Sequence, residues 1–501
     1  MHRMLLLRRS PAATPTAHPG RRPALVAAVA GLSLLALSFD ARAALAPDSF
    51  ADLGAKVTPA VVNISSTHEI DASGRGAPEQ PFNFPKGSPY EEFFRRFQDK
   101  TQPEDRQGGS HQATALGSGF IIDSSGYVVT NNHVIAEATE VQVTLTDGRQ
   151  FPAEVVGADP KTDLALLKID APTPLPTVSF GDSDAVRVGD WVVAVGNPFG
   201  LGGTVTAGIV SARGRDIQSG PFDDFLQIDA AVNQGNSGGP AFGIDGKVIG
   251  ITTAIFSPNG GSVGIGFAIP ANLAKPVIAQ LREHGVVERG WLGVQVQAVT
   301  PEIAAAVGLD KPSGALVSGV QPDGPVARAA LRQGDIIVGY DGARVAEMRD
   351  LPRLVAATPA GKTVELRIWR DGAELTAATE IAKLQAQDRV AAIETEPAGP
   401  VGAVSSRTLG LSLAAATPEL RQRYGLADNV RGVVVVGVDA DGPGAEQGLR
   451  PGDVIERVAA MEVSVPAQVE AAADAARAAN RPALLLVNRD GNELFVAVKV
   501  A

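Results

Sequence analysis

The chain has 501 residues, 45% hydrophobic and 20% charged, with 55 Gly, 35 Pro and no Cys. Its 44 basic and 55 acidic side chains leave a net charge of −11, the wrong sign for neutralising phosphates, which excludes a general nucleic-acid partner. The length suits roughly two to four domains, and the lack of Cys removes disulfides, thiolate metal sites and a Cys nucleophile.

At the N-terminus, Arg8, Arg9, Arg21 and Arg22 precede an uncharged apolar run from Ala24 to Phe39, followed by Ala41, Arg42 and Ala43. This pattern predicts a secretory signal peptide over residues 1–43, cut after Ala43; the run is shorter than the roughly 20 residues that span a bilayer. Without that segment 38 basic and 54 acidic residues remain, a net charge of −16. A polar insert near 67–114 follows, holding aromatic runs at Phe82–Phe84 and Tyr90–Phe97. Their spacing predicts either a short amphipathic helix on its own domain or a contact with a neighbouring subunit.

Short apolar segments then recur between turns: 119–122, 127–130, 141–146, 153–157, 164–169, 191–196, 206–210, 247–254 and 264–269. With tight turns at Asp123–Gly126 and Asp147–Gly148, they predict an all-β barrel or sandwich. A helix from Asn272 to His284, capped by Asn272 and ended by Gly285, is expected to close this domain at residue 285.

The remainder is duplicated. At an offset of 117, Leu292–Gly293 match Leu409–Gly410, Thr300–Glu302 match Thr417–Glu419, and Gly308–Leu309 match Gly425–Leu426. At 118, Asp323–Pro325 match Asp441–Pro443 and Gly334–Asp335 match Gly452–Asp453. Two copies are too few for a solenoid, so two modules are expected over 288–383 and 407–501, with a tether over 384–406.

Three segments of the first domain carry nucleophilic chemistry. Gly235–Pro240 sets Ser237 among glycines that let the backbone turn sharply, so the amides of Gly235 and Ser237 face one space fit for a carbonyl oxyanion. Thr130–Val134 presents His133, whose imidazole titrates near neutrality. Of the other His beyond residue 43, His68 and His111 lie in the polar insert and His284 at a helix end, where the dipole accounts for it. Asp163 opens an apolar strand, at whose edge a carboxylate would fix the imidazole tautomer. Singly these are a turn, a strand-end His and a strand cap. Together, in the order His133, Asp163, Ser237 on an all-β domain, they follow the chymotrypsin-like double barrel rather than subtilisins or α/β-hydrolases.

With modules that open on Trp291–Val294 and Thr408–Leu411, the chain resembles the HtrA family of Do-like (DegP-type) periplasmic serine endoproteases over almost all of its length after residue 43. The resemblance implies a mostly-β architecture: a chymotrypsin-like double β-barrel protease domain over 44–285, then two PDZ domains, acting on unfolded or misfolded envelope proteins. It implies His133 as general base, Asp163 as its orienting partner, Ser237 as nucleophile, and the amides of Gly235 and Ser237 as oxyanion hole, with no metal or cofactor. It places a small apolar specificity pocket at Ala231 and Val232, with Thr253 and Ile255 on the opposite wall. It also implies that peptides with free C-termini add as strands at Leu292, Gly293 and Val294 and at Leu409, Gly410 and Leu411, and that homotrimers or higher multiples form. Asn236 stands where digestive relatives carry the Asp that pairs with a new N-terminus, so a disorder-to-order change of loops, not propeptide cleavage, is the expected activation. Two other classes remain open at this level: a holdase with proteolysis secondary, and an ester-cleaving acyl hydrolase.

Overall fold

The structure, a computed structural model, describes residues 47–70, 111–197, 203–384 and 404–500, less Gln218, Pro221, Gln234, 258–260, Asp323, 329–330, Arg407 and Asp428. The expected signal segment, both aromatic runs and most of the tether lie outside these residues.

Two closed six-stranded barrels form the first part of the chain. The first contains β1 (Val61–Ile70), β2 (His111–Asp123), β3 (Tyr127–Thr130), β4 (Glu140–Thr144), β5 (Gln150–Asp159) and β6 (Leu164–Ile169), in the order β1-β2-β3-β6-β5-β4. The second contains β7 (Trp191–Gly196), β8 (Thr204–Arg215), β9 (Phe225–Ile228), β10 (Pro240–Phe242), β11 (Val248–Ile255) and β12 (Gly266–Pro270). Its order, β7-β8-β9-β12-β11-β10, is the same walk around the barrel. Closure leaves neither sheet a free edge. Alternation along the strands fills the first interior with Val62, Ile64, Ile121, Val128, Val143, Leu167 and Ile169, all buried.

Every predicted segment overlaps a strand, but β1, β9 and β10 have no counterpart among them. In β1 polar residues interrupt the apolar pattern, and the fold gives them partners: Asn63 Nδ2 donates to the Asn197 carbonyl at 3.0 Å and Ser66 Oγ to that of Val134 at 2.7 Å. Strand pairing extends to Ile70 opposite His111, so both ends of the expected insert, 67–70 and 111–114, belong to a hairpin. The closing helix runs Ala271–His284, with Pro270 rather than Asn272 at its N-cap. Asn272 instead donates to Asp182 Oδ1 at 2.7 Å and Asp184 Oδ2 at 2.8 Å, tying the helix to a loop of the barrels.

The first module pairs β13 (Gly290–Trp291) with β20 (Ala382–Lys383). Its main sheet orders β14 (Val294–Ala298), β15 (Ala315–Val320), β16 (Ile336–Tyr340), β18 (Thr363–Arg370) and β19 (Ala373–Glu380), with β17 (Ala343–Arg344) beside β16. The second module repeats this with β22 (Leu411–Ala415), β23 (Val433–Val438), β24 (Val454–Val458), β26 (Ala483–Arg489) and β27 (Asn492–Val498), and with β25 (Met461–Glu462) beside β24. The repeated residues do the same work in each. Thr300 and Thr417 cap the helices that follow them, accepting from the amides of Ile303 and Leu420. Asp335 pairs with Arg370 and Asp453 with Arg489, each carboxylate buried. One difference falls on the tether, whose last residues, Val404–Ser406, form a strand, β21, alongside β22.

Candidate active site

Asp163 occupies a left-handed backbone conformation, φ 54°, where β5 turns into β6. This twist aims both its carbonyl and its carboxylate at the single helical turn Asn132–Ile135 that follows β3. Its carbonyl accepts from Asn131 Nδ2 at 2.8 Å and Oδ1 from the His133 amide at 2.9 Å. Oδ2 lies 2.7 Å from His133 Nδ1 and accepts from Thr253 Oγ1 at 2.6 Å. Asp163, His133 and Thr253 are all buried, so the carboxylate depends on these donors in place of water.

Ser237 reaches the same cluster from the second barrel. Its Oγ donates to the Thr253 carbonyl at 3.3 Å, so one residue of β11 touches the hydroxyl with its backbone and Asp163 with its side chain. Two neighbouring peptide planes are locked. The Gly235 carbonyl accepts from Ser118 Oγ at 2.5 Å while the Asn236 amide donates to Asn233 at 3.1 Å. The Asn236 carbonyl accepts from Thr252 Oγ1 at 2.5 Å and from the Gly239 amide at 2.9 Å, which turns the Ser237 N–H the opposite way. The amides of Gly235 and Ser237 donate to no group among the described residues, whereas that of Asn236, between them, is used. Gly238, at φ 84°, closes the turn where no side chain fits: an added Cβ would lie 2.2 Å from the Ser118 carbonyl oxygen.

Among the residues expected in the specificity pocket, Val232 and Ile255 are buried and Ala231 is partly exposed. Val232 packs over Gly266, where a Cβ would stand 3.2 Å from its Cγ2. Thr253, expected on the opposite wall, commits its hydroxyl to Asp163. Sequence reasoning also missed Asn131, which acts within the first barrel, Thr252, which acts within the second, and Ser118, which reaches from the first barrel to the second.

In the modules, Gly293 (φ 79°) and Gly410 (φ 66°) make equivalent turns. A Cβ on either would strike a facing glycine of its own module, 2.7 Å from Gly324 Cα or 2.9 Å from Gly442 Cα. The Gly293 carbonyl accepts from Gln321 and that of Gly410 from Asp439, both at 2.9 Å. Leu292 and Leu409 are buried, while Val294 and Leu411 begin β14 and β22.

A family model of the trypsin-like peptidase domain matches residues 117–251. A relative from Brucella suis, named "Probable periplasmic serine endoprotease DegP-like", is 46% identical over 475 residues, 90% of this chain and 89% of the relative. The chain belongs to the DegP-like serine endoproteases of the HtrA family. A second DegP-like relative, from Pseudomonas fulva, is 42% identical over 482 residues, 95% of this chain and 98% of its own. A PDZ family model matches residues 290–381, which gives this HtrA-family protease a PDZ domain in its first module. The solved structure "HtrA-type protease AlgW with decapeptide" is 40% identical, with a TM-score of 0.54, and covers 67% of this chain and 99% of that one. Among the described residues of this DegP-like chain, no helix is long and apolar enough to cross a membrane.

Proposed function

We propose that this endoprotease, exported to the periplasm by a signal peptide cleaved after Ala43, degrades unfolded or misfolded envelope proteins through an acyl-enzyme on Ser237. His133 Nε2 takes the Ser237 hydroxyl proton as Oγ attacks the peptide carbonyl. The oxyanion settles between the amides of Gly235 and Ser237, each donor contributing about 3 kcal/mol to the transition state. His133 passes its proton to the leaving amine, and water, deprotonated by the same ring, then releases the acyl group. The observation that carries this reading is the linked contact of His133 with Asp163, Asp163 with Thr253, and Thr253 with Ser237, drawn from both barrels.

Ala231, Val232 and Ile255 form a small apolar pocket that selects Val, Ile or Ala over Lys or Arg before the cut. The second module is a second PDZ domain, a reading supported by its repeated strand order. Amides at Leu292, Gly293 and Val294, and in the second copy at Leu409, Gly410 and Leu411, receive peptide carboxylates; solved AlgW structures named with a decapeptide and a tripeptide accord with this. Peptide at the first site biases the loops around Ser237 toward their active arrangement, and the chains work as homotrimers or higher multiples. A fluorophosphonate adduct mapped by mass spectrometry is expected on Ser237. Ser237→Ala should lose the adduct and about 10⁶-fold in kcat on unfolded casein. An adduct elsewhere, or casein degradation kept by the variant, overturns the assignment.

A further inference from the structure

The two modules differ at one sheet edge. β14 ends its sheet: β15 pairs with one side of it, and the other side meets no strand among the described residues. β22, its counterpart, is paired on both sides, by β23 and by β21, with Val404 opposite Leu413, Ser405 opposite Ser412 and Ser406 opposite Leu411. A peptide whose carboxylate meets the amides around Gly410 would add antiparallel to β22, its last residue near Leu411 and earlier ones toward Leu413. β21 has that direction, that edge and that register.

Its anchors lie in the second module alone. Buried Ser406 accepts through Oγ from the Leu409 amide at 3.3 Å. Thr408 Oγ1 donates to Glu470 at 3.2 Å and Asp474 at 3.3 Å, both on the helix Pro466–Ala478. At the offset of 117, Ser406 corresponds to Arg289. In the first module that residue is drawn away, its guanidinium held by Asp159 of the first barrel and its carbonyl by the Leu384 amide.

We propose that Val404–Ser406 is a built-in ligand of the second module, so that external peptides with free apolar C-termini bind at β14 while β22 stays occupied until β21 is displaced. The inference rests on reading both glycine turns as carboxylate-receiving sites. A strand tethered through Arg407–Gly410 competes at an effective concentration on the order of millimolar or above, which a dilute external peptide does not match.

The test uses the full chain carrying Ser237→Ala, titrated with a fluorescent peptide ending in a free Val and with its amidated twin. A single site is expected, lost in Gly293→Val and kept in Gly410→Val. The pair Val404→Pro and Ser405→Pro removes whichever of two alternating N–H groups faces β22, and should double the bound peptide; adding Gly410→Val should undo the gain. Two sites in the unaltered chain, or no gain on adding the prolines, overturns the inference while the carboxylate-site reading stands. No preference of any form for the free over the amidated peptide overturns that reading itself. Hydrogen exchange on the peptide-free chain needs no strand-breaking variant: amides within Leu411–Leu413 should all exchange slowly, while Val294–Val296 includes fast ones. Equally fast exchange at both edges counts against β21.

Discussion

Asp163 concentrates the demands of the site on one side chain, since both carboxylate oxygens and the backbone carbonyl serve residues 131–133 and Thr253. An amide in its place faces N–H and O–H donors with an NH₂ group that cannot accept from them. Asp163→Asn is therefore expected to lower kcat by about 10⁴-fold in stopped-time peptide assays, with a far smaller change in KM. Thr252→Val, which strips a hydroxyl from the Asn236 carbonyl, should cost about 1–3 kcal/mol of stability by thermal melting and lower kcat by loosening the Ser237 amide. His133, Asp163 and Ser237 were legible because proton transfer and attack admit few residue types, and their order along the chain was informative. Thr253 was not, because alternation along a strand does not say which neighbour each face will meet. Glu456 was equally silent: burial first, then the Glu493 carboxylate, pushes it up to about 7. Its folded form holds a proton that the unfolded chain releases at ordinary glutamate pH, so its own contribution to stability is greatest below that range and falls as pH rises toward 7. Melting curves between pH 4 and 8 should show this slope flattened in Glu456→Gln.

Strands inside the barrels could be read from apolar runs and turns, and β6 and β11 most plainly, because closure buries them almost completely, whereas much of β5 and β8 stays half-buried or exposed. β1 escaped because its Asn63 and Ser66 are satisfied by carbonyls distant in sequence, and β10 because it is only three residues long, between the Ser237 turn and the next bend. The duplication exposed the modules, yet not the Asp335–Arg370 and Asp453–Arg489 pairs, whose arginines lie on strands of otherwise ordinary composition. Asp335 is 1% exposed, so removing its partner leaves an uncompensated buried carboxylate. Arg370→Met is expected to destabilise the first module by about 3–5 kcal/mol, read as early loss of its resonances or melting transition, with the barrels unaffected.

At the scale of the molecule, Arg289 joins the first module to the barrels. Its guanidinium donates to Asp159 Oδ1 at 2.9 Å and Oδ2 at 2.5 Å, and stacks 4.8 Å from the Phe222 ring centroid. Asp159 ends the strand whose turn carries Asp163, so this joint bears on the Asp163 carboxylate through four residues of chain. Arg289→Met should lower both Tm and kcat, and combining it with Asp159→Asn should restore most of the Tm, a coupling that a double-mutant cycle measures. The shared walk of the two barrels has a further consequence. His133 and Asp163 are made early, on one barrel, and the Ser237 hydroxyl late, on the other, with Ser118 and Thr253 bridging them. On the proposed reading of these residues, a growing polypeptide is chemically inert until β11 has been made and docked, and acquires cutting power only after that. Premature release or truncation before β11 yields a harmless fragment instead of an unsupervised scissor.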